Sequence, residues 1–558
     1  MTPHDDIIIK LIETSDVHGC IFPYDFINRQ SLEGSLARVF THVKNENIRY
    51  GGNVVLLDNG DILQGQPSCY FSNYVSPERP NLAASVYNYM GYDAQVIGNH
   101  DIETGHPVYD KWIAETDCPT LGANVIDTST GQPYLKPYTI IERSGIRIAV
   151  LGLVTAAIPY WLHNDLWSGL RFEEMTITAR HWMSIIQEKE HPDLTVGLFH
   201  SGKEGGITTT DYEENATLRV VREVEGFDLV FFGHDHLIHH DWIENSSGKK
   251  VLCLDPSSNA LYVAEAEVRF DRKSHSIRSI RGGLRSVKSC TPDTGFLRHF
   301  QHEADLVKEY VERRIGHFAH TIYTRDCYFG SAPLTDFIHD VQLKITGADI
   351  SLNAPLTFDT CIEAGDVHVS DLFNLYKYEN QIYVLRMTGQ EIHQLLEMSY
   401  GQWVNTMQTA DDHIILLTEP TPSERKHYLF QNLAFNFESA AGIDYEVDVT
   451  RRNGEKVRIL QMSNGEPFSM GQWYRVAMNS YRGNGGGELL TKGAGIPFEQ
   501  IPERIIFRSE HDQRYYLMHE IEEKQETDPQ AHHNWRFVPE AWTVPALERD
   551  KKLLFGGG

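Results

Sequence analysis

The sequence Leu229-Val230-Phe231-Phe232-Gly233-His234-Asp235-His236 joins a short apolar run to two histidines that are separated by one residue. A continuous apolar run of this length is typical of a strand that is buried on both faces. The glycine follows the strand, so the two imidazoles fall on the loop after it. Two histidines at i and i+2 on such a loop are uncommon, and their side chains are frequent metal ligands.

Similar apolar runs recur through the first half of the chain and alternate there with helix-like stretches. This alternation indicates α/β architecture. Further strand-like runs follow at 250–254 and 261–270. The predicted strands of the first half are Ile7–Leu11, Val54–Leu57, Gln95–Ile97, Ile148–Leu153, Leu194–Phe199 and Leu229–Phe232.

Five of these six runs lead into residue types that bind metals. Sites in open α/β sheets form at the carboxyl ends of strands, so residues far apart in sequence can converge there. Taken singly, each motif has an ordinary interpretation as a turn, a helix N-cap or a buried histidine. Their succession favours a metal site. The five motifs are Asp16-Val17-His18, Asn59-Gly60-Asp61, Gly98-Asn99-His100-Asp101, His200-Ser201-Gly202 and Gly233-His234-Asp235-His236.

The combination of imidazole and carboxylate favours Mn, Fe, Co or Zn over Mg or Ca. Asp61 can bridge two ions, and Asn99 can offer an amide oxygen. Two divalent ions about 3.5–4 Å apart generate a hydroxide at neutral pH and clamp the oxygens of a phosphoryl group during in-line displacement. The chain has no Gly-x-Ser-x-Gly nucleophile motif, so the sequence predicts a two-metal phosphoesterase.

The size and charge of the chain limit its possible partners. Its 558 residues are too many for one ordinary core and indicate more than one domain. Acidic residues outnumber basic ones by 77 to 50, which gives a formal net charge of -27. Such a surface repels long nucleic acids and anionic membranes, so we expect a small-molecule nucleotide as partner. The oligomeric state is left open.

The seven cysteines are dispersed and form no Cys-x-x-Cys pair, a pattern typical of free thiols in a reducing compartment. No apolar run approaches the length of a transmembrane helix. The N-terminus has no basic region followed by an apolar stretch. We therefore expect a cytoplasmic protein, with an exported protein whose signal has been removed as the alternative.

The spaced motifs resemble those of the calcineurin-like metallophosphoesterases in their 5'-nucleotidase branch. Together with the pattern along the chain, this resemblance implies an N-terminal four-layer α/β/β/α metallophosphoesterase domain over residues 1–290, with a two-metal site. A linking helix over 291–320 and a C-terminal α/β nucleotidase domain that binds the substrate over 321–525 would follow. Residues 526–558 would form a tail.

The resemblance also implies a role for each motif residue. His100 would be a catalytic histidine that is not a ligand, and Glu103 would orient it. An acid at that position favours the imidazolium form. One metal ion would be held by Asp16, His18, Asp61 and His236, and the other by Asp61, Asn99, His200 and His234. Asn99 would also contact the substrate.

In the second domain, Phe435-Asn436-Phe437 and Asn479-Ser480-Tyr481-Arg482 resemble the two segments that bind the nucleoside in this family. Phe435 and Tyr481 are the expected base-stacking pair. Aromatic faces tolerate any base, which predicts broad specificity. Phe435 and Phe437 alternate as in a strand, so at least one of them is expected in the core.

The segments at 371–376, 442–445 and 479–482 are most similar to 2',3'-cyclic-nucleotide 2'-phosphodiesterase/3'-nucleotidase members. The run Asn353-Ala354-Pro355-Leu356-Thr357 lacks the arginine that often ends the corresponding run of 5'-nucleotidases. We therefore expect hydrolysis of 2',3'-cyclic nucleotides and 3'-nucleotides by a metal-bridging hydroxide. The alternatives are a 5'-nucleotidase or UDP-sugar hydrolase, and a nucleotide-binding protein that has lost catalysis.

Overall fold

A computed structural model describes residues 6–209, 212–419 and 428–556 of the chain. The chain divides into two compact units, Met1–Tyr310 and Val311–Gly558. Among the described residues, no helix combines the length and the apolar character that crossing a lipid bilayer requires.

Twelve strands of the first unit form two six-stranded sheets. In chain order they are β1 (Asp6–Thr14), β2 (Val54–Asp58), β3 (Ala94–Val96), β4 (Thr120–Leu121), β5 (Tyr138–Arg143), β6 (Ile146–Val154), β7 (Leu194–His200), β8 (Leu229–Phe232), β9 (Ile238–Glu244), β10 (Lys250–Pro256), β11 (Tyr262–Asp271) and β12 (Ile277–Ser286). The first sheet has the order β12-β11-β1-β2-β3-β4, and the second has the order β9-β10-β8-β7-β6-β5.

The strands that precede the metal-ligand motifs run parallel within each sheet. In the first sheet β1, β2 and β3 are parallel neighbours, and in the second sheet β7 is parallel to β8. Alternate side chains of both sheets meet in one fully buried core, which includes Leu11, Val55, Val150 and Leu198. This arrangement follows from the two-residue period of strands, which sends alternate side chains to the same face.

Helices cover the outer faces of the two sheets. The main helices of the first unit are α1 (Leu36–Arg49), α2 (Leu82–Met90), α3 (Asn99–Glu103), α4 (His106–Glu115), α5 (Met175–Ile185) and α6 (Thr217–Glu223). Apolar residues of α5 and α6, such as Met183 and Val220, pack on the outer face of the second sheet beside Phe199 and Phe232. Helix α1 contacts β2 of the first sheet. The predicted α/β/β/α layering is therefore confirmed, and the six predicted strands all occur.

The interval 291–320, expected to be one linking helix, contains α7 (Thr294–His299), α8 (Gln301–Glu312) and strand β13 (Arg314–Phe318). The boundary between the two compact units lies within α8. The helical stretch breaks at Phe300, whose backbone leaves the helical region. Its ring is buried against Phe296 and Tyr89, so tertiary packing fixes the break.

The second unit is also α/β. The strands that form its three larger sheets, besides β13, are β14 (Ile350–Asn353), β15 (Gly365–His368), β16 (Gln381–Thr388), β17 (Ser439–Ala441), β18 (Ile443–Asp448), β19 (Val457–Met462), β20 (Trp473–Asn479), β21 (Ile505–Asp512), β22 (Glu526–Thr527) and β23 (Trp535–Val538). They form sheets of order β17-β14-β20-β16-β21, β19-β18-β23 and β15-β13-β22. Its main helices are α9 (Pro333–Thr346), α10 (Val369–Leu375), α11 (Gly389–Trp403), α12 (Gln513–Lys524) and α13 (Glu540–Phe555).

The interval 526–558, expected to be a tail, contains β22, β23 and α13. Strand β23 pairs with β18 in parallel. Trp535 and Phe537 of β23 are buried, and both rings contact Tyr400 and Trp403 of α11. The alternation in β23 is too short to be recognised from the sequence, because the partner strand lies about ninety residues earlier.

Candidate two-metal active site

The five predicted loops meet at one end of the first unit, although their strands belong to different sheets. The loops after β1, β2 and β3 come from the first sheet, and those after β7 and β8 come from the second. Hydrogen bonds join them across the two sheets. The backbone N–H of His234 donates to Asp16 Oδ2 at 3.0 Å, and His200 Nδ1 lies 2.6 Å from the carbonyl oxygen of Asn59.

Two glycines allow this close approach. A Cβ on Gly233 would lie 2.4 Å from Asp16 Oδ2, and a Cβ on Gly98 would lie 2.0 Å from Asp61 Oδ1. These distances are far below van der Waals contact, so a side chain at either position would displace a candidate ligand. The glycines of both motifs thus have a steric role in the site.

Five candidate ligands have left-handed backbone angles, a conformation that costs non-glycine residues about 1–3 kcal/mol each. Strain of this kind persists only where the surrounding structure determines the backbone, and it concentrates at functional sites. The residues are Asp16 (φ 48°), His18 (φ 48°), Asp61 (φ 60°), His234 (φ 84°) and His236 (φ 59°).

The first group of candidate ligands consists of Asp16, His18 and His236, whose ligand atoms lie within 4.8 Å of one another. The Nε2 atoms of His18 and His236 are 3.0 Å apart, and Asp16 Oδ1 lies 3.4 Å from His236 Nε2. Burial lowers the pKa of His18 to about 4, so this imidazole is neutral and its lone pair is available to a metal. Asp16 Oδ1 is buried without a hydrogen-bond partner.

The second group consists of Asp61, His200 and His234. Asp61 Oδ2 lies 3.2 Å from His200 Nε2. The amide oxygen of Asn99 lies 3.0 Å from His200 Nε2 and 2.8 Å from His234 Nδ1. Burial opposes protonation of His200, but the negative charge of Asp61 outweighs it and raises the pKa of His200 to about 10. A cation bound here would displace that proton.

The surroundings of two buried carboxylate oxygens show that these residues fit metal ions. Asp61 Oδ2, like Asp16 Oδ1, is buried without a hydrogen-bond partner. Asp61 Oδ2 faces His200 Nε2 at 3.2 Å and Asp16 Oδ1 faces His236 Nε2 at 3.4 Å, without a hydrogen bond in either case. A cation bound between oxygen and nitrogen would satisfy both atoms. The two groups lie side by side, because the backbone N–H of His18 donates to the carbonyl of Asp61 at 2.9 Å. Imidazole nitrogen and carboxylate oxygen suit divalent transition metals.

His100 and Glu103 lie beside this cluster on α3. His100 Nδ1 is 2.7 Å from Glu103 Oε2, and the backbone N–H of His100 donates to Asp61 Oδ1 at 2.8 Å. Gln64 donates to the same Glu103 oxygen at 3.1 Å. Burial would lower the pKa of His100, but the charge of Asp61 and the hydrogen bond to Glu103 raise it to about 9.

Asp101 belongs to the predicted motif at 98–101, but no role was predicted for it. In the structure it organises the loop that carries Asp61. Its carboxylate accepts hydrogen bonds at 2.8–3.0 Å from the backbone N–H groups of Asp61, Ile62, Leu63 and Gly98. One buried side chain thus joins the loop after β2 to the loop after β3.

Glu214 contacts a candidate ligand and was missed from the sequence. Glu214 Oε1 lies 3.2 Å from His234 Nε2, the ring nitrogen opposite the one that faces Asn99. Glu214 belongs to a two-stranded hairpin, Gly205–Thr208 and Glu213–Asn215. No local signal marks it, because the contact spans 20 residues and the hairpin has no apolar pattern.

The expected base-stacking residues lie in the second unit. The rings of Phe435 and Tyr481 are half-buried and contact each other edge to face, with centroids 5.9 Å apart. Phe437 is fully buried and stacks on Trp403, as expected for at least one member of that segment. The buried Arg482 joins the two segments, since it donates to the carbonyl of Phe435 at 3.1 Å.

Two family models match the chain. Calcineurin-like phosphoesterase matches residues 9–237, and 5'-nucleotidase, C-terminal domain, matches residues 314–492. The first range holds every candidate metal ligand, and the second holds Phe435 and Tyr481. The chain belongs to the calcineurin-like phosphoesterases that carry a 5'-nucleotidase C-terminal domain, and it is a hydrolase of phosphoester bonds. The predicted family is confirmed.

Curated relatives resemble the chain over nearly its whole length. The trifunctional nucleotide phosphoesterase protein YfkN of Bacillus subtilis is 25% identical, over 97% of this chain and 39% of that protein. The chain thus spans well under half of that relative. The 2',3'-cyclic-nucleotide 2'-phosphodiesterase/3'-nucleotidase of Salmonella typhimurium is 24% identical, over 95% of this chain and 89% of that enzyme.

A crystal structure of a Staphylococcus aureus protein, provisionally described as a 5'-nucleotidase, has a similar fold. The TM-score is 0.75 at 21% identity, and the match covers 95% of this chain and 99% of that chain. The two-domain fold class is therefore confirmed.

Proposed function

We propose that this protein hydrolyses 2',3'-cyclic nucleotides and 3'-nucleotides with the help of two divalent metal ions. The observation that carries the proposal is the pair of adjacent ligand groups around Asp16 and Asp61, each with a buried carboxylate oxygen that accepts no hydrogen bond. The substrate class is supported by the Salmonella typhimurium enzyme of that name, which resembles 95% of this chain.

Asp61 would serve both ions, with Asp16, His18 and His236 completing one set of ligands. Asn99, His200 and His234 would complete the other, which agrees with the contacts of the Asn99 amide oxygen to both histidines. The donor set suits Mn, Zn, Fe or Co. When bound, such ions lower the pKa of a water ligand and neutralise charge on a phosphoryl group.

His100 would supply the proton for the leaving oxygen. Because its Nδ1 is bonded to Glu103, the other ring nitrogen carries the proton that can be transferred. A cation at Asp61 would oppose the effect of that carboxylate on the pKa of His100, which leaves Glu103 as the partner that maintains the imidazolium. Glu103 is in turn held by Gln64.

The second unit would bind the base through Phe435 and Tyr481, with Asn99 contacting the phosphate. A 5'-nucleotidase or UDP-sugar hydrolase is the second candidate, favoured by the match of the second unit to the 5'-nucleotidase C-terminal domain. A binding protein without catalysis is disfavoured, because each proposed ligand and His100 are present.

The test measures hydrolysis of 2',3'-cyclic AMP, 3'-AMP, 5'-AMP and a UDP-sugar by the Mn²⁺-loaded protein, with products separated by chromatography. His100→Asn is compared with His181→Asn, a change at an exposed histidine of α5. We expect the first two substrates to react fastest and kcat to fall by about 10²–10⁴-fold in His100→Asn alone.

A preference for 5'-AMP or the UDP-sugar would be consistent with the proposed metal site, but it would mean that the proposed substrate class is wrong. Equal activity of the two variants would remove His100 from the mechanism. No hydrolysis of any substrate by metal-loaded protein would contradict the proposal as a whole.

A further inference from the structure

A third group of metal-ligand side chains lies in the first unit and takes no part in the proposed reaction. Asp235, His239 and Asp255 each offer one ligand atom, and these atoms lie within 4.8 Å of one another. Asp235 stands between His234 and His236 on the loop after β8. His239 belongs to β9, and Asp255 belongs to β10.

The backbone places these three side chains together. His239 and Asp255 are directly opposed partners in the antiparallel pair β9–β10, and side chains of such partners project to the same face. Asp235 Oδ2 lies 3.4 Å from His239 Nε2. Asp235 is itself fixed, since its two oxygens accept hydrogen bonds at 2.9 Å from the backbone N–H groups of Lys203 and Leu237.

Two of the three ligand atoms are buried without a hydrogen-bond partner. Asp255 is fully buried, and while its Oδ1 accepts a hydrogen bond from the N–H of Ser257 at 2.7 Å, its Oδ2 accepts none. His239 Nε2 is also buried and forms no hydrogen bond. Buried polar atoms are normally satisfied. An unsatisfied carboxylate oxygen beside an unsatisfied imidazole nitrogen and a second carboxylate therefore indicates a ligand between them.

The ammonium group of Lys203 does not neutralise this group. Lys203 binds Asp235 only through its backbone N–H, and its ammonium group lies 2.9 Å from Asp241 Oδ2 instead. A fully buried carboxylate such as Asp255, brought beside the partly buried carboxylate of Asp235, requires a proton or a cation between them.

We propose that Asp235, His239 and Asp255 bind a third divalent transition-metal ion. Two carboxylate oxygens and one imidazole nitrogen suit Mn, Fe, Co or Zn, and three protein ligands leave positions for water. Because Asp235 separates His234 from His236, an ion here joins the loop that carries both histidines to β9 and β10. The ion therefore has a structural role and is distinct from the two that support hydrolysis.

The experiment counts metal ions bound to the full chain. The protein is stripped with a chelator, reloaded with Zn²⁺, desalted and measured by elemental mass spectrometry, and crystals are examined for anomalous density at the zinc edge. Wild type should hold about three ions per chain, and His239→Gln and Asp255→Asn about two. His240→Gln, a change at the exposed neighbour on β9, should keep all three.

His200→Asn separates this proposal from the proposed function, because it should reduce the two-ion cluster and leave anomalous density between Asp235, His239 and Asp255. His239→Gln guards against loss of folding, since it keeps a side chain of similar size on Phe232, whose ring stacks with that of His239. Wild type without density at Asp255 would overturn the proposal and leave a shared proton between the two carboxylates as the alternative. Equal zinc content in His239→Gln, Asp255→Asn and wild type would also overturn it.

Discussion

At the scale of single residues, three of the four histidines in the two ligand groups have a contact that orients the ring. His18 Nδ1 lies 3.1 Å from the carbonyl oxygen of Gln64, His200 Nδ1 contacts the carbonyl of Asn59, and His234 Nε2 contacts Glu214. Such contacts fix the tautomer and direct the other nitrogen toward a metal. His234 differs from the other two because its partner is a carboxylate.

We predict that Glu214→Gln weakens metal binding at the group that contains His234 by about 10–100-fold, since the loss of an orienting carboxylate has effects of this size. Metal titration of the stripped protein measures it. The control is Glu213→Gln, because the Glu213 carboxylate accepts a hydrogen bond from the N–H of Gly205 in the same hairpin. Unchanged affinity in Glu214→Gln would mean that the contact to His234 has no effect on the ion.

A second residue-scale prediction concerns His339, which is fully buried between Ser351 and Ser439. Burial lowers the pKa of this imidazole to about 3, against about 6.5 in an unfolded chain. Between these values the unfolded chain binds more protons than the folded one, so stability falls as the pH decreases from 6.5 towards 3. At pH 4 the free energy of unfolding is lower than at neutral pH by about 3 kcal/mol.

Chemical denaturation of the second unit between pH 7 and pH 4 measures this effect. In His339→Gln the dependence of the unfolding free energy on pH should be shallower, while His519→Gln, at an exposed position of α12 in the same unit, should match wild type. A wild-type slope in His339→Gln would show that His339 is accessible to protons in the folded state.

At the scale of elements, the short helix α3 concentrates three candidate groups in five residues. Asn99 begins the helix, and His100 and Glu103 are separated by three positions, which places them on the same side of a helical turn. The His100–Glu103 contact therefore follows from the helix itself. The loop geometry around α3 depends on Asp101, which binds four backbone N–H groups across two loops.

The last helix, α13, anchors a loop of the second unit. The fully buried carboxylate of Asp550 accepts hydrogen bonds from the backbone N–H groups of Ile414 and Ile415 at 2.8 and 3.0 Å. Strand β23 adds Trp535 and Phe537 to the hydrophobic core of the second unit. The C-terminal segment is thus a structural part of this unit.

We predict that Phe537→Ala destabilises the second unit by about 3–5 kcal/mol, because truncation of a buried phenylalanine removes apolar contact and leaves a cavity. Thermal and urea unfolding measure the change. Val544→Ala on α13 is the matched control, since Val544 is 53% exposed, and we expect a change within about 0.5 kcal/mol. A small effect of Phe537→Ala would mean that β23 is dispensable for the fold.

At the scale of the whole molecule, the net charge of -27 opposes the approach of an anionic substrate. Bound divalent ions would supply the positive charge that a phosphoester requires. The same net charge disfavours long nucleic acids, whose charge extends well beyond one site. All seven cysteines are free, as the dispersed pattern predicted, and the cytoplasmic location stays a prediction.

The sequence by itself determined the elements whose signal is local. The strands at 54–58, 194–200 and 229–232 were predictable because they are continuous apolar runs of strand length. The motifs Gly98-Asn99-His100-Asp101 and Gly233-His234-Asp235-His236 were recognisable because ligand residue types directly follow such runs. These features depend only on neighbours in the chain.

Only the tertiary structure decided the features that depend on distant contacts. It divided the ligand loops between two sheets, placed Glu214 against His234, and opposed His239 to Asp255 across β9 and β10. It also built residues 526–555 into the second unit through pairing with β18. Contacts of this kind leave no period in the sequence, because each depends on which strands become neighbours when the two faces of a sheet are buried.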